Sequence, residues 1–579
     1  MEAEASGAAP PSAARRLIEN QNRLVGWQIA SERAGFALKV LTGFASVVAA
    51  AVLAALVWQA TQEGGLVIDA FSVPPALAAD GLTGEVVATR LLDRLQAMQL
   101  ATDSERRADT FQNDWSRKLA VEVPGAGVSL DEVERLLRRR LGHASHLTGE
   151  VFRTPAGVAL TARIGEAAPQ TFSGPQADLD ILIGRAAEAI FHARQPYRYA
   201  QFLAQHGRAD EAFAAIAKLA RDGPRSERPW AFGLWGFFDF ELHGDAVAAD
   251  RHFAMSRRLG HVSGYGFAQN VEIWTGHAER ELAFSRTFGR LLHDPATRRQ
   301  LAPGLAANQD LGVPAQNAFF VGDYVGAAAG FAKAAETVNF LGSTTAYPAW
   351  RATALALAHD PAGAEAVLAT LEPRDDATLL PASVEYGAYA MPNYFIAAER
   401  GRWDLALASA RAADAALSAL ASAQPVMRHP LATWVRPLEA LAMAHIGDLA
   451  GAKALIGQTP LDCYLCVRTR GTIAALGGET ATAEHWFGEA VRMGPSLPFA
   501  FQDWAETRLA RGDLAGALHA AREAERRSPR FADPIKLEGD VFMRQGRRAE
   551  VIVRYDHALK LAPNWRALRA ARAAAARPA

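Results

Sequence analysis

The chain has 579 residues, of which 50% are hydrophobic, and its 61 basic and 62 acidic side chains leave a formal net charge of −1. That length exceeds one ordinary domain. The near-neutral balance argues against bulk binding of nucleic acid, which requires a net basic face. We therefore expect no nucleic-acid partner.

An uncharged stretch lies near the amino terminus, from Val40 to Ala60. As a helix rising 1.5 Å per residue it would reach about 31 Å, enough to cross a hydrocarbon core. A buried soluble helix and a cleaved signal peptide are the alternatives. The signal peptide is disfavoured because a long segment, residues 1–39, precedes the run and because Trp58-Gln59-Ala60 is a poor cleavage site. We predict one transmembrane helix over 40–60.

The basic residues around this span predict its orientation. Arg23, Arg33 and Lys39 lie on its amino side, whereas no Lys or Arg follows it before Arg90. The positive-inside rule then places residues 1–39 in the cytoplasm as a short tail and exports the bulk of the chain. We expect a single-pass protein of a bacterial inner membrane, with a periplasmic carboxy-terminal bulk.

Residues 61–192 have the pattern of a small α/β domain. Alternating apolar residues predict strands, and apolar stripes at helical spacing predict helices. Thr154-Pro-Ala-Gly157 has the turn chemistry of a β-hairpin. The predicted order is strand 66–73, helix 85–100, strand 118–123, helix 130–141, strands 147–152 and 158–164, and helix 176–191.

A period of 34 residues marks the carboxy-terminal part of the chain. Glycines suited to an inter-helix turn, alanines suited to close helix contact and prolines that end a helix all keep this interval. These repeat-structural residues are Gly478, Gly512 and Gly546; Ala490, Ala524 and Ala558; and Pro495, Pro529 and Pro563. The pattern resembles the tetratricopeptide-repeat (TPR) family, which implies stacked antiparallel helical hairpins.

The turn signature Gly-x-x-x-x-Ala extends this array upstream. It recurs at Gly207–Ala212, Gly244–Ala249, Gly322–Ala327, Gly401–Ala406, Gly447–Ala452 and Gly512–Ala517. Gly276–Glu281 and His359–Ala364 match it less well. We predict about ten hairpins in an α-solenoid over 193–565, with a capping helix or tail at 566–579. The expected fold is mostly α, with TPR-like hairpins preceded by one transmembrane helix and the small α/β domain.

The α/β region, above all Leu147–Ile164, resembles a family of α/β domains that are related to the amino-terminal domain of the Tol-system periplasmic protein. Similar domains precede TPRs in some membrane-anchored bacterial adenylate cyclases and regulators. Those relatives carry a cyclase or winged-helix domain on the cytoplasmic side, for which residues 1–39 leave no room. The resemblance therefore implies an anchored TPR protein without that output domain.

The only two cysteines form the pair Cys463-Tyr-Leu-Cys466. Two thiols are half of a tetrahedral zinc site, and no His or Cys cluster lies nearby to complete it. A c-type haem would require His where Val467 stands, and a redox pair would require a thioredoxin-like setting. We expect the cysteines to pack as small apolar residues, with a possible disulfide in an oxidising compartment.

A search for catalytic motifs gives no candidate. The sequence has no phosphate loop of the Gly-x-x-x-x-Gly-Lys-Ser/Thr type, no His-Glu-x-x-His and no Gly-x-Ser-x-Gly. We therefore predict that the protein is not an enzyme and expect no catalytic residue, cofactor, metal ion or small-molecule substrate.

Polar residues also keep the 34-residue interval on the first helix of each late hairpin. Arg468, Gln502 and Lys536 form a first ladder, and Thr472, Glu506 and Asp540 form a second ladder four residues on. In TPR folds this helix lines the concave face, so the ladders are candidate partner-binding residues. An ordinary solvated face would give the same pattern.

Two classes of function remain. The first is a membrane-anchored scaffold that binds other cell-envelope proteins through the concave face of its repeats. The alternative is a sensor or regulatory subunit, with the α/β domain as input and the short cytoplasmic tail as output. The sequence does not identify the protein partner.

Overall fold

The computed structural model describes residues 65–113, 144–337, 343–371 and 382–577, with isolated positions before residue 65. The chain forms two compact units, one containing the residues up to Gln96 with Asp109–Ile190, the other Ala97–Ala108 with Phe191–Ala579. Apart from isolated positions, the predicted span 40–60 lies outside the described residues. Within the described ranges, no helix combines the length and apolarity that a membrane crossing requires.

The first unit is a five-stranded mixed sheet with helices. Its elements are β1 (Leu66–Ile68), α1 (Pro75–Ala79), α2 (Gly84–Leu100), β2 (Phe111–Asn113), β3 (Ser145–Thr154), β4 (Gly157–Ile164), β5 (Gln170–Gly174) and α3 (Leu179–Arg194). The strand order is β2-β1-β3-β4-β5. Strand β1 is parallel to β2 and β3, whereas β3, β4 and β5 pair antiparallel.

Predicted elements of this unit coincide with observed ones in part. Helix α2 and the β3–β4 hairpin lie where the sequence patterns place them. The strand predicted over 66–73 is wrong beyond Ile68, because the chain breaks its ladder so that Phe71 enters the core, and bridges β3 again at Ser72. Strand β5 was not predicted, and the predicted elements 118–123 and 130–141 lie outside the described residues.

The second unit is an array of TPR-like helical hairpins. Its early members are α4 (Pro196–Gln205) with α5 (Ala209–Asp222), α6 (Arg228–His243) with α7 (Ala246–Arg258), α8 (Ser263–Thr275) with α9 (Ala278–Leu292), then the short α10 (Pro295–Gln300), α11 (Leu305–Phe319) with α12 (Tyr324–Ala335), and α13 (Ser343–Leu357) with α14 (Pro361–Leu368). Each first helix is joined to its second by a short turn. This gives five hairpins before residue 371 in the described ranges.

The later half of the array repeats the same unit. Its members are α15 (Ala382–Glu399) with α16 (Trp403–Leu420), α17 (Arg428–Pro430) continuing through a π-helical turn into α18 (Arg436–His445) with α19 (Leu449–Gly457), α20 (Tyr464–Leu476) with α21 (Thr480–Met493), α22 (Phe499–Ala510) with α23 (Leu514–Arg527), α24 (Ala532–Arg544) with α25 (Arg548–Leu561), and the last helix α26 (Arg566–Ala575). Among the described residues the array therefore contains ten hairpins and a terminal helix.

The 34-residue period corresponds to the geometry of the last three hairpins. Their second helices begin at Thr480, Leu514 and Arg548, one period apart. The alanines at 490, 524 and 558 are fully buried, as expected where two helices approach closely. Each hairpin turn contains a glycine in the left-handed region, at 478, 512 and 546.

The array also folds back on itself. Four early turns, centred on Gly244, Gly276, Gly322 and His359, pack against loops between later hairpins; we call them the docked turns. Examples are Gly276 O accepting the Tyr464 N–H at 2.9 Å and Asp360 accepting Asn564 Nδ2 at 2.7 Å. The first turn of a helix has N–H groups without intrahelical acceptors, and the Gly276 carbonyl supplies an acceptor for one of these groups in α20.

This docking creates a core shared by hairpins far apart in sequence. One apolar cluster contains Phe319 and Phe331 from the early hairpins together with Tyr464, Leu497 and Ala500 from the later ones. A simple solenoid, in which each hairpin contacts only its sequence neighbours, does not describe this unit. The early turns cover the amino ends of several first helices in the later half of the array.

We expect Ala558→Leu to loosen the last hairpin. Ala558 is fully buried between α24 and α25, so a larger side chain would strain that contact by about 1–3 kcal/mol. Hydrogen exchange should show lost protection from Ala532 to Leu561. Val553→Leu on the same helix is the control, because Val553 is 65% exposed. Uniform loss of protection along the chain would contradict a separable terminal hairpin.

Candidate functional site

Helices α20, α22 and α24 carry the two predicted ladders. Gly471 and Gly539 face the second helix of their own hairpins, where an added Cβ would lie 2.6 Å from the Phe487 ring and 2.4 Å from the Tyr555 ring. Ala505, one period from each, is fully buried. This fixed packing face holds the ladder residues in equivalent positions on successive first helices.

The first ladder is mostly engaged within the protein. Arg468 forms a two-bond ion pair with Asp503 at 2.8 and 2.9 Å, and its guanidinium lies over the Tyr464 and Phe499 rings. Its side chain is only 19% exposed. Arg468 therefore joins α20 to α22 and is not free to bind a partner. Lys536 has a more exposed side chain, at 33%, and Gln502 is partly buried.

The second ladder pairs with the first along each helix. Gln502 donates to Glu506 at 2.8 Å, Lys536 lies 2.6 Å from Asp540, and Thr472 Oγ1 donates to the Arg468 carbonyl. Each contact spans four residues, the spacing at which helical side chains meet. Asp540 also accepts the Tyr555 hydroxyl at 2.6 Å. Two ladders predicted separately are thus joined by side-chain pairs on α22 and α24, and on α20 by a bond from a side chain to the backbone.

Glu506 differs from the other ladder residues. Its side chain contacts solvent, yet it forms no ion pair with a cation in the part of the chain that the structure describes. Protein around the carboxyl, together with the charges of Asp503 and Asp533, raises the pKa of Glu506 to about 7. The site therefore has an excess of carboxyl groups over cations, which a positively charged ligand would relieve.

His359 joins an early docked turn to the later hairpins. Its Nδ1 lies 2.8 Å from Glu399, its Nε2 lies 3.2 Å from Asp533, and its ring stacks on Trp565. Burial lowers the pKa of His359, but the charge and hydrogen bond of Asp533, with those of Glu399, outweigh it and raise the pKa to about 9. One signal of this role is visible in the sequence, because His359 stands where the turn signature has glycine.

Cys463 and Cys466 form a disulfide. Both cysteines are fully buried, and Cys463 caps α20, with its sulfur accepting the Cys466 N–H at 3.1 Å. Gly276 of a docked turn packs against Cys463, where an added Cβ would lie 2.9 Å from the sulfur. This burial separates the pair from soluble thiols and favours a packing role.

We expect loss of this disulfide to have a small effect. In the chain-entropy model a loop of four residues stabilises a fold by at most about 2 kcal/mol. Urea unfolding of the Cys463→Ala/Cys466→Ala variant should show a decrease of that size or less. A reductant should not change the unfolding of this variant, because the variant has no disulfide. The variant therefore serves as the control for other actions of the reductant on the unmodified protein. Complete unfolding would instead indicate that the pair is required for docking.

The α/β unit contains a half-open cavity of about 250 Å³. Apolar residues form its floor, including Leu77, Val158 and Leu179, with Asp80 and Arg90 also in its lining. Cavities that hold drug-sized ligands usually measure about 300–1,000 Å³. This cavity therefore supports a ligand site only weakly.

Comparisons with known proteins give no family assignment. No protein-family model and no curated protein matches the chain. One similar solved structure is the crystal structure of the APC/C hetero-tetramer Cut9-Hcn1, which is 13% identical and aligns over 67% of this chain and 85% of its own, with a TM-score of 0.26. Likeness at that level carries no argument here, so the TPR-like description rests on the hairpins themselves.

Proposed function

We propose that this protein is a non-catalytic scaffold that binds a protein partner through the inner face of α20, α22 and α24. The observation that carries the proposal is Glu506, an exposed residue whose carboxyl lies near Asp503 and Asp533, accepts from Gln502 and forms no ion pair among the described residues. Arrays of helical hairpins commonly present extended binding surfaces. A segment with a lysine or arginine would supply the missing positive charge.

Charge reversal at Glu506 tests this proposal. Glu506→Lys should abolish capture of the partner from crosslinked cells, because the new cation repels a basic segment. Glu550→Lys is the matched control, since Glu550 is similarly accessible but lies on the second helix α25 and pairs with Arg547. Urea unfolding should show that both variants remain folded. Equal capture by Glu506→Lys and the unmodified protein would reject this binding face.

The pKa of Glu506 gives the same proposal a second test. Pairing with a cation requires the ionised carboxyl, so affinity for a basic segment should rise as pH increases through about 7. Titration calorimetry with a peptide from the captured partner at pH 6 and pH 8 measures this. Glu506→Gln should remove that rise, because it has no titrating carboxyl. An unchanged rise in Glu506→Gln would assign it to another group.

We further propose that the chain is anchored in a bacterial inner membrane, with its bulk in the periplasm. The supporting observations are the uncharged run Val40–Ala60 and the basic residues Arg23, Arg33 and Lys39 before it. A reporter active only after export, fused after Ala579, should be active. A reporter active only in the cytoplasm should be silent, and the reverse pattern would overturn the proposed topology.

A second candidate function is a sensor or regulatory subunit in envelope signalling. The observation behind this candidate is the cavity in the α/β unit, which is smaller than most cavities that hold drug-sized ligands; the short tail would be the output. Deletion of residues 1–38 distinguishes the two candidates. Partners that survive the deletion support the scaffold, whereas partners lost with the tail support the regulator.

A further inference from the structure

A short segment of the chain, Gln99–Arg107, lies against the first hairpins of the helical unit; we call it the strap. Its first two residues are the last two of α2 and the rest lead toward β2, yet Ala97–Ala108 belongs by its contacts to the helical unit. Its neighbours are α4, the start of α6, and the residues that follow α10.

Helix α4 recognises the strap mainly through its backbone. The Arg198 guanidinium donates to three carbonyls of the strap, those of Gln99, Thr102 and Arg106, at 3.1, 2.8 and 2.9 Å. Gln205 accepts the Asp103 N–H at 3.0 Å and donates to the Asp103 carbonyl at 2.8 Å. Such contacts do not depend on the side chains of the bound segment.

The residues after α10 add strand-like pairing on another side of the strap. Arg107 N–H donates to the Gln300 carbonyl, and Ala302 N–H donates to the Glu105 carbonyl, both at 2.8 Å. Arg106 and Leu301 form an isolated antiparallel bridge. Backbone pairing of this kind is how proteins commonly bind an extended peptide.

Two side chains anchor the strap specifically. Glu105 Oε2 accepts a hydrogen bond from Gln201 Nε2 at 2.8 Å. Arg106 forms a two-bond ion pair with Glu227, and its guanidinium lies over the rings of Tyr197 and Trp230, 5.8 and 5.6 Å from their centroids. Planar pairing with a carboxylate and stacking on aromatic rings both favour arginine over lysine. An extended segment with arginine at this position therefore fits the site.

The strap leaves part of the site unsatisfied. On the site, Gln201 Oε1, Arg198 Nε and the Tyr197 hydroxyl are buried and have no hydrogen-bond partner within the described residues, and on the strap itself Glu105 Oε1 has none. Buried polar groups without partners are costly, and a half-satisfied network is worse than a complete one. A different segment could complete these bonds while keeping the same backbone contacts.

We propose that α4, Glu227 and residues 300–302 form a peptide-binding site, separate from the inner face of α20–α24, which the strap occupies until an extended, arginine-containing segment of a partner protein displaces it. The partner segment would take over the backbone bonds to Arg198 and Gln205 and the ion pair with Glu227. The strap thus acts as a tethered internal competitor.

A labelled synthetic peptide with the sequence of residues 99–108 is the probe, measured by fluorescence anisotropy with the full chain. In the unmodified protein the tethered strap competes at an effective concentration of the order of millimolar, so peptide binding should be weak. Arg106→Ala weakens the strap but leaves the site intact, and should tighten peptide binding at least tenfold. A peptide that carries the same Arg106→Ala change should bind the Arg106→Ala protein without this tenfold increase in affinity.

The Arg106→Ala/Gln205→Ala variant is the matched control, because it weakens both the strap and the site, and it should bind the peptide less tightly than Arg106→Ala alone. Equal binding by the unmodified protein and Arg106→Ala would overturn the proposal. If the Arg106→Ala substitution by itself unfolded the helical unit, the proposal would also be overturned, since the strap would then be an integral part of the fold.

Hydrogen exchange on the unmodified protein gives an independent test. The Arg107 and Ala302 amides, which bond across the strap, should exchange at least a hundredfold faster than buried amides of α20, because a displaceable strap opens locally. Exchange of these amides at the same rate as α20 would show that the strap opens only when the unit unfolds, and would reject displacement.

Discussion

Gly322→Ala should destabilise the helical unit by about 2–4 kcal/mol. Gly322 has a φ of +84°, and an alanine in this left-handed region costs about 1 kcal/mol. Its turn also packs against Phe531, so that a Cβ would lie 2.6 Å from the ring. Displacing that ring from the shared packing adds about 1–3 kcal/mol. Urea unfolding followed by circular dichroism measures the total.

Gly512→Ala is the matched control for this prediction. Gly512 has a φ of +83° and occupies the equivalent turn of a later hairpin, but a Cβ there would meet nothing within 4 Å. Its substitution should therefore cost only the backbone contribution of about 1 kcal/mol. The difference between the two variants isolates the docking of an early turn on a later hairpin. Equal costs would contradict that docking.

His359→Gly should remove a pH-dependent part of the stability, amounting to about 3 kcal/mol at its largest. The pKa of His359 rises from 6.5 to about 9 on folding, and each pH unit of that difference is worth about 1.4 kcal/mol. Because the folded state holds the proton more tightly, this stabilisation is fully present below about pH 6.5 and is lost as pH rises to about 9. Urea unfolding at pH 6.5, 8 and 9.5 measures it.

The choice of glycine at 359 separates this effect from backbone strain. His359 has a φ of +61°, so glycine relieves a strained backbone while it removes the imidazole. The variant should be less stable than the unmodified protein at pH 6.5 and closest to it at pH 9.5. His277, whose pKa is also raised through its bond to Glu272, contributes a slope of the same sign. The quantity to compare is therefore the difference in free energy of unfolding between the unmodified protein and His359→Gly. A difference that stays constant across pH would contradict the role of His359.

The back-folding also bears on where a partner can bind. Early turns and aromatic residues such as Tyr324 occupy space beside Phe499 and Phe531, near the amino ends of α22 and α24. Glu506 and Asp540 lie further along these helices, toward the turns at Gly512 and Gly546, where an added Cβ would meet no atom of the described residues within 4 Å. A partner segment is therefore expected to enter from the side of these open turns.

The repeating unit could be predicted from the amino-acid sequence alone. A 34-residue interval in glycine, alanine and proline fixes where a helix turns, where two helices touch and where the second one ends. These are local requirements, so the last three hairpins have the predicted turns and buried alanines. The β3–β4 hairpin follows for the same reason, since alternation and turn chemistry are both local signals.

Contacts between distant parts of the chain could not be predicted from the sequence and became visible only in the tertiary structure. Residues such as Gly322 and Phe531, or His359 and Asp533, are about two hundred residues apart, and no periodic pattern connects them. The same holds for the strap, whose backbone contacts with Arg198 carry no sequence signature because any residue can supply a carbonyl. Strand β5 pairs at a sheet edge, where the solvated side chains of Gln170–Gly174 give no alternating pattern. Short-range periodicity therefore determined each hairpin, whereas long-range packing decided which surfaces of the array are covered and which stay open.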